Sequence, residues 1–255
     1  MYTETLDQFA KIATSKANII QKSPLSFLIG SIMAGAYVGL GVILIFTLAG
    51  MVPQEYSVLI MGASFGIALM LVVFAGSELF TGHTMYMSIG RIRNVIKTVD
   101  VVKAWFITWM GNLLGCIALA YLYYLGDGAL MKSSGEVLLK VAEYKMNSSA
   151  GELVARGILC NWLVCLAIWM SYRVKGDSAK AIVIFWCLFA FIASGYEHSI
   201  ANMTLFSLAL LAEHSEAISL AGMAHNLLWV TLGNTIAGVF FMAYGYTLAN
   251  PWPTK

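Results

Sequence analysis

Six apolar runs, each long enough to cross a bilayer, dominate this sequence and favour a membrane bundle over any other fold. They lie near residues 25–50, 57–89, 104–126, 152–172, 179–212 and 218–248; about 20 apolar residues make one helical crossing. The second and fifth are too long for a simple span, and each carries a polar interruption. In the second it is Gly76-Ser77-Glu78-Leu79-Phe80-Thr81-Gly82-His83; in the fifth it runs from Ala193 to Thr204 around Gly195, Glu197 and His198. Ionisable groups at membrane depth are costly and mark substrate or proton pathways. A helix broken there exposes backbone groups, which is tolerated only where they line a cavity or are buried in protein. Both runs are therefore expected to be discontinuous helices at a transport site. Pro24, Pro53, Pro251 and Pro253 all sit near span ends, so glycine and polar residues make the breaks.

Composition agrees. Apolar residues make up 60% of the chain and charged residues 11%, with a mean hydropathy of +0.79; soluble domains carry about a quarter charged residues. Residues 1–22 lack the apolar core of a cleaved signal. Leu6, Phe9, Ala10, Ala13, Ala17 and Ile20 fall on one helical face, with Lys11, Lys16 and Lys22 free for headgroups, which predicts an amphipathic helix at the membrane surface. The connecting segments place 11 basic residues on one side of the membrane and only Lys132, Lys140, Lys145 and Arg156 on or near the other. The positive-inside rule then puts both termini in the cytoplasm. The expected organisation is a cytoplasmic segment 1–22, a transmembrane domain 23–250 and a tail 251–255.

The domain divides into halves at about 25–126 and 150–248. Thr108-Trp109-Met110-Gly111-Asn112 echoes Val230-Thr231-Leu232-Gly233-Asn234, and the interruptions at Glu78 and Glu197 fall at nearly the same offset. Three spans per half is an odd number, so a repeat must be inverted, which points to a midplane site between the halves. Gly35-x-x-x-Gly39, followed by Gly41, is a small-residue strip suited to close helix packing. Cys116, Cys160, Cys165 and Cys187 lie inside apolar spans at no metal-ligand spacing, and read as packing residues without a disulfide.

His198 is the foremost candidate for chemistry. It is either a buried neutral histidine bonded to its neighbours, or a pore group able to bond a small anion or pass it a proton. Thr81 and Asn161 are uncharged donors at membrane depth, and Asn161 could equally join two helices. Lys145 lies in the external segment 127–149. It is either a solvated loop charge or, if that segment folds back, a cation that concentrates anions over a vestibule. His83, His214 and His225 have no partners at ligand spacing, so no metal site, cofactor or nucleic-acid partner is expected.

Three motifs, in order, carry a family resemblance: Ala75–His83, Leu159–Ala167 and Gly195–Met203. From about residue 20 to 248 the chain resembles the formate/nitrite transporter family, and the run from His225 to Asn234 leans towards its nitrite-type members. The resemblance implies an aquaporin-like fold of six transmembrane helices, pentamers with a pore in each protomer, and a location in the bacterial inner membrane. It implies a mobile loop at about 77–90; the Gly82, Gly90, Thr81 and Thr84 of that segment suit movement, and it is expected to gate the cytoplasmic side. It further implies a central His198 partnered by Thr81, a vestibule Asn161 and Lys145, and apolar constrictions at Phe65, Leu69, Phe80, Val164, Phe191 and Ala201.

A bare anion at such a constriction loses its hydration, at a cost of several kcal/mol even after relaxation. The expectation is therefore that Lys145 draws nitrite in, Asn161 and its neighbours replace water, and proton uptake near His198 lets near-neutral nitrous acid cross. Rival readings are formate, lactate or hydrosulfide on the same fold, a neutral-solute channel, and an intramembrane enzyme. The neutral-solute class lacks its paired Asn-Pro-Ala motifs here, and the enzyme lacks a nucleophile–base pair or metal set.

Overall fold

The computed structural model describes residues 2–132 and 135–250; every regular element among them is helical. The expected tail at 251–255 lies outside the described residues. Helix α1 (Thr3–Lys22) turns its predicted apolar face, Leu6, Phe9, Ala10, Ala13, Ala17 and Ile20, into the protein. Phe9 stacks on Trp169 (5.5 Å) and Tyr86 (6.4 Å). The amphipathic reading of this segment thus ends on the bundle itself.

Five stretches are long and apolar enough to cross a membrane: α2 (Pro24–Ala49), α3 (Gln54–Ala75), α5 (Thr98–Leu125), α7 (Ala150–Ser171) and Leu220–Leu248. The last comprises α10 (Leu220–Ile236), a π-helical segment Ala237–Tyr244 and α11 (Gly245–Leu248). Helix α4 (Phe80–Ile92) follows α3. Helices α8 (Asp177–Ala193) and α9 (Ser199–Leu211) hold 17 and 13 residues, each short of the ~20 that a crossing needs. Helix α6 (Glu136–Met146) lies in the segment between α5 and α7.

Both long runs break as their sequence predicts, and they break alike. Gly76 ends α3 at φ 75° and Gly195 follows α8 at φ 70°, a left-handed conformation that a Cβ disfavours. The chain then extends, through Leu79 (φ −101°, ψ 125°) and His198 (φ −110°, ψ 113°), before α4 and α9 begin. The expected loop across 77–90 is mostly helix instead. Only residues 76–79 are irregular, and every residue from Phe80 to Gly90 is buried. Close packing accounts for this: a Cβ on Gly90 would stand 2.4 Å from the Ala13 Cβ, and one on Gly238 1.9 Å from Thr84 Oγ1. Helix α4 is thus pressed between α1 and the π-helical segment.

Glycine also sets the helix spacing in each half. A Cβ on Gly35 would lie 2.1 Å from the Asn112 carbonyl oxygen, one on Gly115 2.0 Å from that of Ile32, and one on Gly233 2.4 Å from that of Val154. The first two hold α2 against α5; the third holds α7 against α10. Backbone oxygens cannot yield as side chains do. Gly115→Val is therefore expected to cost at least the ~1–3 kcal/mol of an overpacked core. Thermal unfolding in detergent would check this, and an unchanged midpoint would contradict the packing account.

Candidate transport site

Three cavities lie in file between the broken helices. One, termed outer for its place beside α6, measures about 470 Å³ and is lined by Phe65, Tyr144, Lys145, Arg156, Glu197, Ala201 and Asn202, among others. The central one is only about 10 Å³ and is enclosed by Phe65, Leu69, Leu79, Val164, Phe191 and His198 with neighbouring apolar groups. The inner one, about 150 Å³, is bounded by Phe9, Lys16, Leu69, Gly76, Leu79 and Tyr86 with others. Phe65 borders both the outer and central cavities, and its ring meets Phe191 edge-on at 5.6 Å. Leu69 and Leu79 border both the central and inner ones. The centre holds room for about one water. A wider groove of about 630 Å³ between α5 and α10 is apolar and contains none of these polar groups.

His198 sits at the pinch because it is the residue that starts α9. Its Nδ1 accepts the Ala201 N–H (3.1 Å), capping the helix, and its Nε2 faces Thr81 Oγ1 at 3.1 Å. An imidazole nitrogen that accepts carries no proton, so this network assigns a neutral ring with the hydrogen on Nε2, donated to Thr81.

Each break is clasped by an asparagine from another helix. Asn112 of α5 accepts the Phe80 N–H (2.9 Å) and donates to the Glu78 (2.9 Å) and Ser31 (2.7 Å) carbonyls. Asn234 of α10 accepts the Ser199 N–H (2.9 Å) and donates to the Glu197 (2.9 Å) and Gly157 (2.8 Å) carbonyls. The echoing Gly-Asn pairs of the sequence thus do the same task in each half: they satisfy backbone groups that the break leaves without helix partners.

The carboxylates are paired alike as well. Glu197 meets Lys145 Nζ through Oε1 (2.9 Å) and accepts from Asn202 Nδ2 through Oε2 (2.6 Å); Lys145 also donates to Asn202 Oδ1 (3.2 Å). Glu78 pairs with Lys16 through Oε1 and with His83 Nε2 through Oε2 (2.9 Å). Helix α6 brings Lys145 to the outer cluster, and α1 brings Lys16 to the inner one. Glu197, with a 2% exposed side chain, would be strongly unfavourable as an unpaired charge.

The predicted site residues divide. His198 and Thr81 come together; Phe65, Leu69, Val164 and Phe191 border the central cavity; Ala201 and Lys145 line the outer one. Asn161 is fully buried, and its amide bonds other groups than Lys145. Its Nδ2 donates to the Thr81 carbonyl (3.3 Å), Thr84 Oγ1 (3.0 Å) and the Asn234 carbonyl (2.6 Å). Asn202 is the asparagine that bonds Lys145. Phe80 is buried and lines none of the three cavities, whereas Leu79 borders two of them. Sequence reading missed Leu79, Asn202 and His83. The matching offsets of Glu78 and Glu197 were the available signal, since His83 and Asn202 both follow five residues later.

A helical membrane bundle with polar breaks facing a chain of cavities defines a membrane transport protein. The chain belongs to the formate/nitrite transporter family, whose profile matches residues 3–248. It is 52% identical over 254 residues to the nitrite transporter NirC of Salmonella typhimurium, covering 98% of this chain and 93% of that one. Its fold is similar to that of a solved FNT family ion channel (TM-score 0.96, 51% identity, 98% of this chain and 100% of that one). It is also similar to a pentameric formate channel with formate bound (TM-score 0.76, 26% identity, 90% and 98%).

Proposed function

We propose that the protein carries nitrite across the bacterial inner membrane through a pore in each protomer, with a proton taken up on the way. The observation that carries this reading is the file of cavities pinched at His198, whose Nε2–H is directed across the path at Thr81. An anion from the outer cavity takes the place of Thr81 as acceptor and receives that hydrogen bond where water is excluded. The ring in this state has no proton to spare: giving up the Nε2 hydrogen would leave an imidazolate. His198 therefore orients and stabilises the anion, and the neutralising proton is relayed from the bulk solution through cavity water, which leaves no hydroxide behind. Near-neutral nitrous acid then passes Leu69 and Leu79 to the inner cavity.

The identity to NirC supports nitrite as substrate. The structural likeness to a pentameric channel supports a homopentamer, whose neighbours and lipid would cover exposed side chains such as Phe106, Leu122 and Phe240. The paired breaks, paired asparagine clasps and paired Glu–Lys contacts support six spans in an aquaporin-like inverted repeat, with α3–α4 and α8–α9 as its discontinuous members. The positive-inside bias supports cytoplasmic termini. On this orientation Lys16, Glu78 and His83 lie at the cytoplasmic mouth.

Formate is the second reading, favoured by the structural neighbour that binds it. Nitrite uptake into proteoliposomes with excess formate outside separates the two. Saturable nitrite uptake that formate barely inhibits supports the nitrite reading, whereas equal flux of both anions would replace it with a broad monovalent-anion channel.

A further inference from the structure

Two cations, Lys145 and Arg156, line the outer cavity. Lys145 is already neutralised by Glu197 at 2.9 Å. Arg156, half-buried on α7 and lining the same cavity, forms no ion pair with any carboxylate among the described residues. The acidic residue one turn back, Glu152, is engaged by the Ser149 backbone N–H and hydroxyl, both at 3.1 Å. The Arg156 guanidinium is held instead by an uncharged aromatic: Nη2 donates to the Tyr144 oxygen at 2.8 Å, and Cζ stands 5.4 Å from that ring's centre. Two cations and one carboxylate thus line the cavity, and the cation without a carboxylate in direct contact is pinned in orientation.

We propose that Arg156, positioned by Tyr144, forms an anion-binding subsite in the outer cavity that takes planar anions with two oxygens on one centre through paired N–H donors. This inference rests on the small-anion transport reading. A guanidinium presents donors in a rigid fork that matches two such oxygens, whereas a lysine is a point charge. The subsite therefore discriminates by shape as well as charge: nitrite and formate engage both arms, and hydrosulfide engages one. It lies beside Glu197, whose backbone N–H is bonded to the Arg156 carbonyl (3.3 Å), so a bound anion waits next to the break that leads to His198.

The test is uptake against concentration for nitrite, formate and hydrosulfide in proteoliposomes of wild type, Arg156→Gln and Arg156→Lys. Arg156→Gln is expected to raise the half-saturating nitrite and formate concentrations about tenfold while the maximal rate, which reports an intact pore, stays close to wild type. Arg156→Lys restores the charge without the fork, so nitrite and formate stay about threefold weaker while hydrosulfide returns to its wild-type value. Wild-type half-saturation for nitrite and formate in Arg156→Lys would overturn the fork. Wild-type vesicles that carry formate but no nitrite, with the shifts still present for formate, would remove nitrite as the substrate and support the subsite.

Discussion

Replacing His198 with phenylalanine is expected to abolish proton-linked nitrite uptake. The substitution keeps an aromatic ring against Phe191, 6.1 Å away, but removes the Nε2–H that faces the path. A hydrogen bond to a charged group is worth up to about 3 kcal/mol, a factor of about a hundred in rate when it is lost at the barrier. Phenylalanine also removes the cap on the Ala201 N–H, so a folding defect must be separated from a transport defect. His198→Asn does this: asparagine is among the best N-cap residues, yet it is too short to replace Nε2 opposite Thr81. The expected result is a protein that unfolds near the wild-type temperature and transports as poorly as the phenylalanine variant. Wild-type flux and pH dependence in either variant would return His198 to a purely structural role.

The second large effect falls on the asparagine clasps. Asn112→Leu strands the Phe80 N–H and the Glu78 carbonyl, and Asn234→Leu strands the Ser199 N–H and the Glu197 carbonyl; the Ser31 and Gly157 carbonyls keep their partners inside α2 and α7. All lie in the interior, and each unpaired group costs about 1–3 kcal/mol. Two together, about 2–6 kcal/mol, are a large share of the total stability of a domain, about 5–15 kcal/mol. Both variants are expected to lose most of their folded protein, by size-exclusion chromatography of extracts and by thermal unfolding. A melting midpoint within a degree or two of wild type would mean that the breaks are held by something else.

The breaks were legible because two requirements coincide at them. A left-handed turn wants glycine, which Gly76 and Gly195 supply, and buried carboxylates are rare in apolar runs, so Glu78 and Glu197 stand out. The central pair of His198 and Thr81 followed from family motifs, and geometry brings it together. The ion pairs could not be read in the same way. Lys16 and Lys145 reach the carboxylates only because α1 and α6 fold back over the mouths of the bundle, and their own composition is that of ordinary surface helices. Asn161 illustrates the limit of the family motif: the resemblance places it in the vestibule with Lys145, but its amide donates to Thr81, Thr84 and Asn234, and Asn202 bonds Lys145 instead. The gating loop shrank to residues 76–79 because local glycine and threonine content suggests mobility, whereas close contacts with α1 and the π-helical segment decide it.

The central claim is that nitrite crosses the pinch at His198 in company with a proton. Nitrite entry and internal pH recorded together in proteoliposomes of the wild-type protein, against empty vesicles, test it most directly. The account predicts acidification of the lumen in step with saturable nitrite entry, and little charging of the membrane. Nitrite entry that leaves internal pH unchanged and follows the membrane potential would show that the bare anion crosses, and would contradict it.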